Sequence, residues 1–332
     1  MTGSADRWLK GPEVVSNLES EPQEAVRLAG AIDDRASVLL PEREVPLGGV
    51  RGITVRRTLP HRTLPTVSAW CFLDHFGPSG APMVVLPHPH TGLQTVTWPF
   101  TGSIRHRDSL GNDLIVRPGE LNLMTSGGGV SHSEVSMLDA DTPLLHGLQL
   151  WVALPDRTRD GPARFEHYDN LPTVEAGGLT ATVLVGEFMG GRSPAMVDTP
   201  LVGLDVSLGA GSSVLALNPA YEHAILAIDG PVDVSGEPLP SGPLLFLGVG
   251  RDELLLTTQR PTRLTLIGGA PFDEALVMWW NFVARSHEEI VRAREEWQTG
   301  SERFGQVSGH DGERIPAPVL PGVNLKPRYR PR

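Results

Sequence analysis

The chain has 332 residues, 40% of them hydrophobic and 20% charged, with 37 glycines and 30 prolines. Its formal net charge of −11 argues against a nucleic-acid-binding surface, because phosphate binding needs clustered lysine and arginine. The single cysteine, Cys71, leaves no partner for an intramolecular disulfide and favours a reducing compartment. No stretch approaches the roughly 18 uninterrupted apolar residues of a membrane span. We therefore expect a cytoplasmic protein that binds neither nucleic acid nor a membrane.

The first 45 residues are polar and acidic, and because of their low hydrophobicity we expect no separate core there. We predict an N-terminal arm over 1–45, with a short helix within 19–34.

From about residue 46 to 290, short β-rich runs alternate with turns that contain Gly, Pro or Asp. At least ten strand candidates follow one another with almost no helix between them, a pattern typical of a sandwich or a barrel. The segments 98–124 and 226–250 repeat the same order of strands and glycine turns, which predicts two similar β-domains in tandem. Where the first segment is preceded by "PHPHT", the second is preceded by "LNPAY", so only the first copy has the histidines.

One helix is predicted near the end of the chain, in the sequence "SHEEIVRAREEW". Ser286 at the N-cap and Glu289 three residues later form a capping box, and Ile290 and Trp297 recur on one face. The remaining residues are rich in Pro and Gly, so we predict an extended tail over 299–332.

Seven of the 11 histidines lie between His61 and His146. His88 and His90 are two residues apart, and so are His132 and Glu134. Residues at this spacing in a strand point to the same face, so two strands could supply four ligands to one metal ion. The spacing alone leaves open the alternative that these are ordinary surface or capped side chains.

Pro89 separates the two histidines of the first pair. It restricts His88 to extended conformations and removes a backbone donor, so we predict an edge or bulged strand here. Three consecutive glycines, 127–129, allow a tight turn just before the strand of the second pair.

The stretches "HPHTGLQTVTW", "HRDSLGN", "RPGELNLMTSGGGVSHSE", "GLQLWVALP" and "FDEALVMWWNFVARSHEEI" resemble the pirin family of the cupin superfamily. The resemblance covers roughly residues 50 to 297. It implies an all-β fold of two tandem cupin (jelly-roll-like) β-barrels, followed by the short helix and the tail. It divides the chain into a metal-binding cupin domain over 46–165 and a degenerate cupin domain over 166–298.

The resemblance also implies an iron ion, Fe²⁺, in the first domain, held by His88, His90, His132 and Glu134. Three imidazoles and a carboxylate are equally compatible with Ni, Mn or Zn. Other cupins have a ligand glutamate where this chain has Gln94, and Glu134 replaces it. We expect Gln94 to support the site by hydrogen bonds, and His106 to lie in a surface turn.

Two classes of function follow from the resemblance. The first is a quercetin 2,3-dioxygenase that acts on a small aromatic substrate such as a flavonol, with Glu134 as the catalytic base. The second is a non-enzymatic, redox-sensitive regulatory protein that binds transcription factors or metabolic enzymes. The net charge of −11 fits a protein partner better than DNA.

Overall fold

A computed structural model describes residues 37–47 and 53–328. The helix predicted within 19–34 lies outside these ranges. Within them, no helix is both long enough and apolar enough to cross a membrane.

The described residues form 25 strands, one α-helix and a 3₁₀ turn. The first twelve strands are β1 (Val38–Leu40), β2 (Arg43–Leu47), β3 (Ile53–Leu59), β4 (Trp70–Ser79), β5 (Val84–His90), β6 (Leu93–Thr101), β7 (Ser103–Asp108), β8 (Asp113–Val116), β9 (Leu121–Thr125), β10 (Val130–Met137), β11 (Leu145–Ala153) and β12 (Arg164–Tyr168). The others are β13 (Thr173–Ala176), β14 (Leu179–Phe188), β15 (Gly191–Arg192), β16 (Leu201–Leu208), β17 (Gly211–Ala216), β18 (Glu222–Ala227), β19 (Val232–Val234), β20 (Glu237–Leu239), β21 (Leu244–Gly248), β22 (Glu253–Thr258), β23 (Thr262–Gly269), β24 (Val277–Trp279) and β25 (Phe282–Ala284). The helix α1 spans His287–Thr299, and the 3₁₀ turn spans Glu302–Phe304.

The first barrel is built from two antiparallel sheets. One has the order β12-β9-β6-β11-β4-β3-β2, and the other has the order β5-β10-β7-β8. Alternate residues of β7 are buried, as expected for a strand with one face toward a barrel interior.

The second barrel repeats this topology strand for strand. Its sheets have the orders β1-β21-β18-β23-β16-β14-β13 and β17-β22-β19-β20, so β16 to β23 correspond to β4 to β11. The prediction of two tandem barrels is confirmed. One difference lies at the outer strand, because β12 follows the first barrel in sequence whereas β1 comes from the N-terminal end of the chain.

The two barrels pack together through their larger sheets and share one hydrophobic core. Trp70 and Trp98 lie at its centre, each less than one twentieth exposed. The Trp70 indole donates to the carbonyl of Gly268 at 3.0 Å, and the Trp98 indole donates to Asp205 at 3.0 Å. Because each indole N–H forms a hydrogen bond to the other barrel, each large ring is buried without an unpaired donor.

The predicted helix begins and ends as the sequence indicates. The Ser286 side chain accepts from the backbone N–H of Glu289, and Gly300 closes the helix in the left-handed conformation at φ +74°. The buried face of α1, with Ile290 and Trp297, packs against the first barrel together with Phe304 and residues of the tail. The divisions 1–45, 46–165, 166–298 and 299–332 of the sequence stay a prediction. Most of α1 falls in the third division, although the helix packs on the first barrel.

Candidate metal centre

Strand β5 places the first pair of histidines. It is the edge strand of its sheet and pairs with β10 alone in that sheet. Between the pairs His132↔His88 and Glu134↔Val85, β5 has one residue more than β10, which is a β-bulge. The edge position and the bulge predicted from Pro89 are both confirmed.

Strand β10 brings the second pair against the first. Three ligand atoms of His88, His90 and His132 lie within 4.8 Å of one another, and the same holds for His106, His132 and Glu134. The Nε2 atoms of His90 and His132 are 3.0 Å apart. His132 belongs to both groups, so it links the buried pair His88 and His90 to the buried pair His106 and Glu134.

Backbone carbonyls orient two of the imidazoles. His88 Nδ1 is 2.9 Å from the carbonyl oxygen of Leu86, and His90 Nδ1 is 3.2 Å from that of Asn281. A carbonyl only accepts, so each Nδ1 carries the hydrogen and each Nε2 keeps its lone pair. Burial lowers the pKa of His88 to about 4, and burial, followed by the neighbouring His88, lowers the pKa of His90 well below its usual value. Both rings are thus neutral at pH 7, the form that binds metal.

Glu134 lies at the edge of the cluster with one polar neighbour on the opposite sheet. The Thr97 hydroxyl donates to Glu134 Oε1 at 3.2 Å and also lies 3.0 Å from Gln149 Oε1. Burial raises the pKa of Glu134, although His106 and the bond from Thr97 oppose the rise. A buried carboxylate with a raised pKa is a stronger base than an exposed one.

His106 was expected in a surface turn, and this expectation is wrong. It lies within β7, is 2% exposed, and stacks on Phe165 with ring centroids 4.6 Å apart. Its Nδ1 is 3.4 Å from His132 Nδ1, and its Nε2 is 3.2 Å from Asp108 Oδ2. The alternation of Ile104, His106 and Asp108 was the signal in the sequence that these side chains share the inner face.

Gln94 was expected beside the metal ligands, but its side chain points away from them. Its amide donates to the Thr125 hydroxyl and to the carbonyl of Met196, both at 2.9 Å. The same face of β6 carries Val96 and Trp98, which belong to the core between the barrels. Side chains alternate along a strand, so it is Thr97 that faces Glu134.

The cluster opens into a small pocket within the first barrel. It is lined by Leu47, Phe72, Asp74, Val85, His88, His90, His132, Glu134, Gln149, Trp151 and Asn281. Phe72 and Trp151 stack at 4.0 Å with an interplanar angle of 11°, and Arg57 lies over Phe72 at 4.2 Å from the ring centroid. Asp74 forms a two-pronged ion pair with Arg57 and thereby holds the guanidinium over Phe72.

The second barrel has no such cluster among its described residues. Its strands β17 and β22 correspond to the ligand strands β5 and β10. Their buried positions include Leu215, Leu254 and Leu256, and these pack into an apolar core. Aliphatic side chains cannot coordinate a cation, so these three positions offer no metal ligand.

Comparisons with known proteins place this architecture among its relatives. A model of the pirin family matches residues 52–152, and a model of the pirin C-terminal cupin domain matches residues 203–305. A Pseudomonas aeruginosa protein that is provisionally named a quercetin 2,3-dioxygenase is 43% identical, over 84% of this chain and 89% of its own. A pirin-like protein of Caulobacter vibrioides is 35% identical, over 80% and 94% of the two chains.

Among solved structures, quercetin 2,3-dioxygenase from Acinetobacter baumannii superposes with a TM-score of 0.83 at 42% identity, covering 88% of this chain and 97% of its own. A bacterial pirin from Escherichia coli, solved in complex with nickel(II), has a TM-score of 0.54 at 18% identity and covers 71% and 100%. The second likeness shows that the fold is shared.

Proposed function

The chain belongs to the pirin family of cupin proteins, and from this we propose that it is a metal-dependent flavonol dioxygenase of the quercetin 2,3-dioxygenase type. The observation that carries the proposal is the pocket of the first barrel, where a buried His/Glu cluster faces the stacked rings of Phe72 and Trp151. The names of relatives at 43% and 42% identity support the choice of reaction.

In this proposal His88, His90, His132 and Glu134 hold the metal ion. The donor set fits, because neutral imidazole nitrogens and one carboxylate suit a divalent transition metal with positions left open for substrate. We propose Fe²⁺ as the native ion, and Ni, Mn and Zn fit the same donors. Metal analysis of protein purified without added metal distinguishes them. We also propose a cytoplasmic location, since the single cysteine, Cys71, is a free buried thiol.

A bound ion of this class supplies Lewis-acid stabilisation of a deprotonated substrate oxygen. The chain itself supplies the base and the shape of the pocket. Glu134 takes the proton from the flavonol hydroxyl, and the hydroxyl of Thr97 orients the carboxylate that receives it. Phe72 and Trp151 contribute apolar ring atoms to the lining for an aromatic substrate, while Gln149 and Asn281 place polar groups in the same pocket.

The test is oxygen consumption by metal-loaded protein with quercetin, followed together with the loss of flavonol absorbance. We expect turnover by the wild type, and turnover reduced by at least about 100-fold in Glu134→Gln, which removes both the base and one of the proposed metal ligands. Thr257→Val, a change on β22 of the second barrel, serves as the control and is expected to leave turnover unchanged.

A metal-loaded protein that consumes no oxygen with quercetin or other flavonols would overturn the enzymatic proposal. Such a result would favour the second class of function, a redox-sensitive regulatory protein. Affinity capture of partners with the metal in its reduced and oxidised states then tests that alternative, because a redox switch requires different partners in the two states.

A further inference from the structure

We infer that His106 and Asp108 form a hydrogen-bonded relay behind His132 that fixes the tautomer and the orientation of this ring. The inference rests on the proposed metal centre, and it assigns two positioning residues to it. Both lie on β7, which pairs with β10 in the register His132↔Asp108 and Glu134↔His106. Residues directly opposite on paired strands have side chains on the same face, so the relay follows from the register.

Asp108 is the fixed end of the relay. Its side chain is fully buried, and His106 Nε2 approaches Oδ2 at 3.2 Å. Oδ1 accepts from the backbone N–H groups of Leu110 and Asn112, both at 3.0 Å, and the Asn112 amide donates to Oδ2 at 2.8 Å. A carboxylate held by the turn that follows its own strand has little freedom to move, so it defines where His106 must place a hydrogen.

The positions of the hydrogens follow from donor and acceptor chemistry. A carboxylate accepts only, so His106 Nε2 carries the hydrogen, and the Nδ1 atom of a neutral His106 is then an acceptor. His132 Nδ1 faces that atom at 3.4 Å and must be the donor of any hydrogen bond between them. The lone pair of His132 is thereby placed on Nε2, the atom that lies 3.0 Å from His90 Nε2.

Side chains thus orient the ring of His132, whereas backbone carbonyls orient the rings of His88 and His90. Nδ1 of His88 and Nδ1 of His90 are fixed by the carbonyls of Leu86 and Asn281. His132 has the side chain of His106 in the corresponding place. Phe165 stacks on His106 at an interplanar angle of 24° and restricts the rotation of the His106 ring. Groups that orient a ligand imidazole typically change metal affinity about 10- to 100-fold when they are removed.

The first measurement needs no variant. The ¹⁵N chemical shifts of the His132 ring in metal-free wild-type protein report which nitrogen carries the hydrogen. We expect a protonated Nδ1 and an unprotonated Nε2. A His132 ring protonated on Nε2, or a rapid mixture of both tautomers, would overturn the inference, and neither result depends on whether the protein binds metal or turns over a flavonol.

The second measurement is the affinity for Zn²⁺, determined by competition with a chelator. His106→Phe keeps an aromatic ring on Phe165 but removes the acceptor, and we expect about 10- to 100-fold weaker binding together with loss of the single His132 tautomer. His106→Gln restores a carbonyl acceptor and should recover most of the affinity. His223→Phe, at a buried histidine of the second barrel, is the matched control and should bind Zn²⁺ as the wild type does.

The outcomes separate the two proposals. Wild-type affinity and an unchanged His132 tautomer in His106→Phe would refute the relay while leaving the metal centre intact. Failure of the wild type to bind any divalent metal would refute the proposed centre, and the ¹⁵N shifts would still decide the relay.

Discussion

His90 Nε2 and His132 Nε2 lie 3.0 Å apart, although the two residues are separated by 42 positions in the chain. Burial lowers the pKa of both rings well below the ordinary value, so neither is charged at pH 7. With the ring hydrogens on Nδ1, the Nε2 lone pairs of the two rings can both be directed at one cation. This relationship is the geometric basis of the predictions on metal binding.

Replacement of one ligand should abolish stoichiometric metal binding. We expect His90→Ala to purify with less than about one tenth of the wild-type metal content, because the remaining donors cannot form a complete coordination shell. His75→Ala removes a buried histidine outside the cluster and should keep the wild-type content. Elemental analysis of both proteins is the measurement, and full occupancy in His90→Ala would show that the ligand assignment is wrong.

Metal removal should lower the stability of the wild type. A ligand present at about 100 times its Kd adds about 2.7 kcal/mol to the free energy of unfolding. Thermal melts before and after chelation should therefore differ by several degrees, and re-addition of metal should restore the higher Tm. The His90→Ala protein should show the same Tm under all three conditions.

Gly92→Ala should damage both the fold and the centre. Gly92 has φ +71°, and a Cβ atom there would lie 2.1 Å from the carbonyl oxygen of Val283, which crosses over the end of the metal-binding strand. We expect a loss of more than about 2 kcal/mol in urea unfolding and weaker metal binding. Gly190→Ala, in a turn of the second barrel, is the control: the residue has φ +84°, an added Cβ atom there meets open space, and the change should cost only about 1–2 kcal/mol.

Replacing only one partner of the ion pair between Arg57 and Asp74 should lower the free energy of unfolding. Both side chains are at most 3% exposed, and the pair bonds at 2.7 and 2.8 Å. Arg57→Met leaves a buried carboxylate without this partner and should lower the free energy of unfolding by about 3–5 kcal/mol. The double variant Arg57→Met/Asp74→Leu should recover a large part of that loss, and a double variant as unstable as Arg57→Met would contradict the argument.

Metal-free protein should lose stability as the pH falls below about 6.5, and His223 should contribute to this loss. Burial lowers the pKa of His223 to about 4 from the usual 6.5, so between these values the unfolded chain binds a proton that the folded chain does not. Stability is therefore present above pH 6.5 and is lost as the pH falls toward 4. At 1.36 kcal/mol per unit, this group should contribute a loss of about 2 kcal/mol between pH 7 and pH 5.

The measurement is urea unfolding of metal-free wild type and metal-free His223→Gln at the two pH values. Glutamine cannot titrate in this range, so the variant should lose less stability between pH 7 and pH 5. Equal losses in the two proteins would show that His223 takes no part in the pH dependence.

Local patterns were sufficient to predict much of the centre. The i, i+2 spacing of His88 and His90 and of His132 and Glu134 depends only on the alternation of side chains along a strand. Pro89 predicted an edge strand because a missing N–H is tolerated there. The capping box at Ser286 was likewise a local signal, and each of these features is found in the structure.

The residues that surround the ligands were not predictable in this way. Gln94 lies four residues after His90, and the sequence could not show that its face of β6 turns toward the second barrel. His106 was assigned to a turn because Arg, Asp and Gly surround it, whereas cross-strand pairing with β10 places it in the barrel interior. Register between distant strands decides both cases.

The sequence by itself determined the strands, the tandem barrels and the side chains offered to a metal, since these depend on short-range alternation and turn chemistry. Only the tertiary structure decided which of these side chains come into contact. The pairing of β5 with β10 assembles the cluster, and the pairing of β7 with β10 adds His106 and Asp108 behind it. Strand β1 completes the second barrel, and α1 packs on the first. Such contacts join segments that are remote in sequence, and the free energy of burying their apolar surface selects them from the many pairings that local propensity allows.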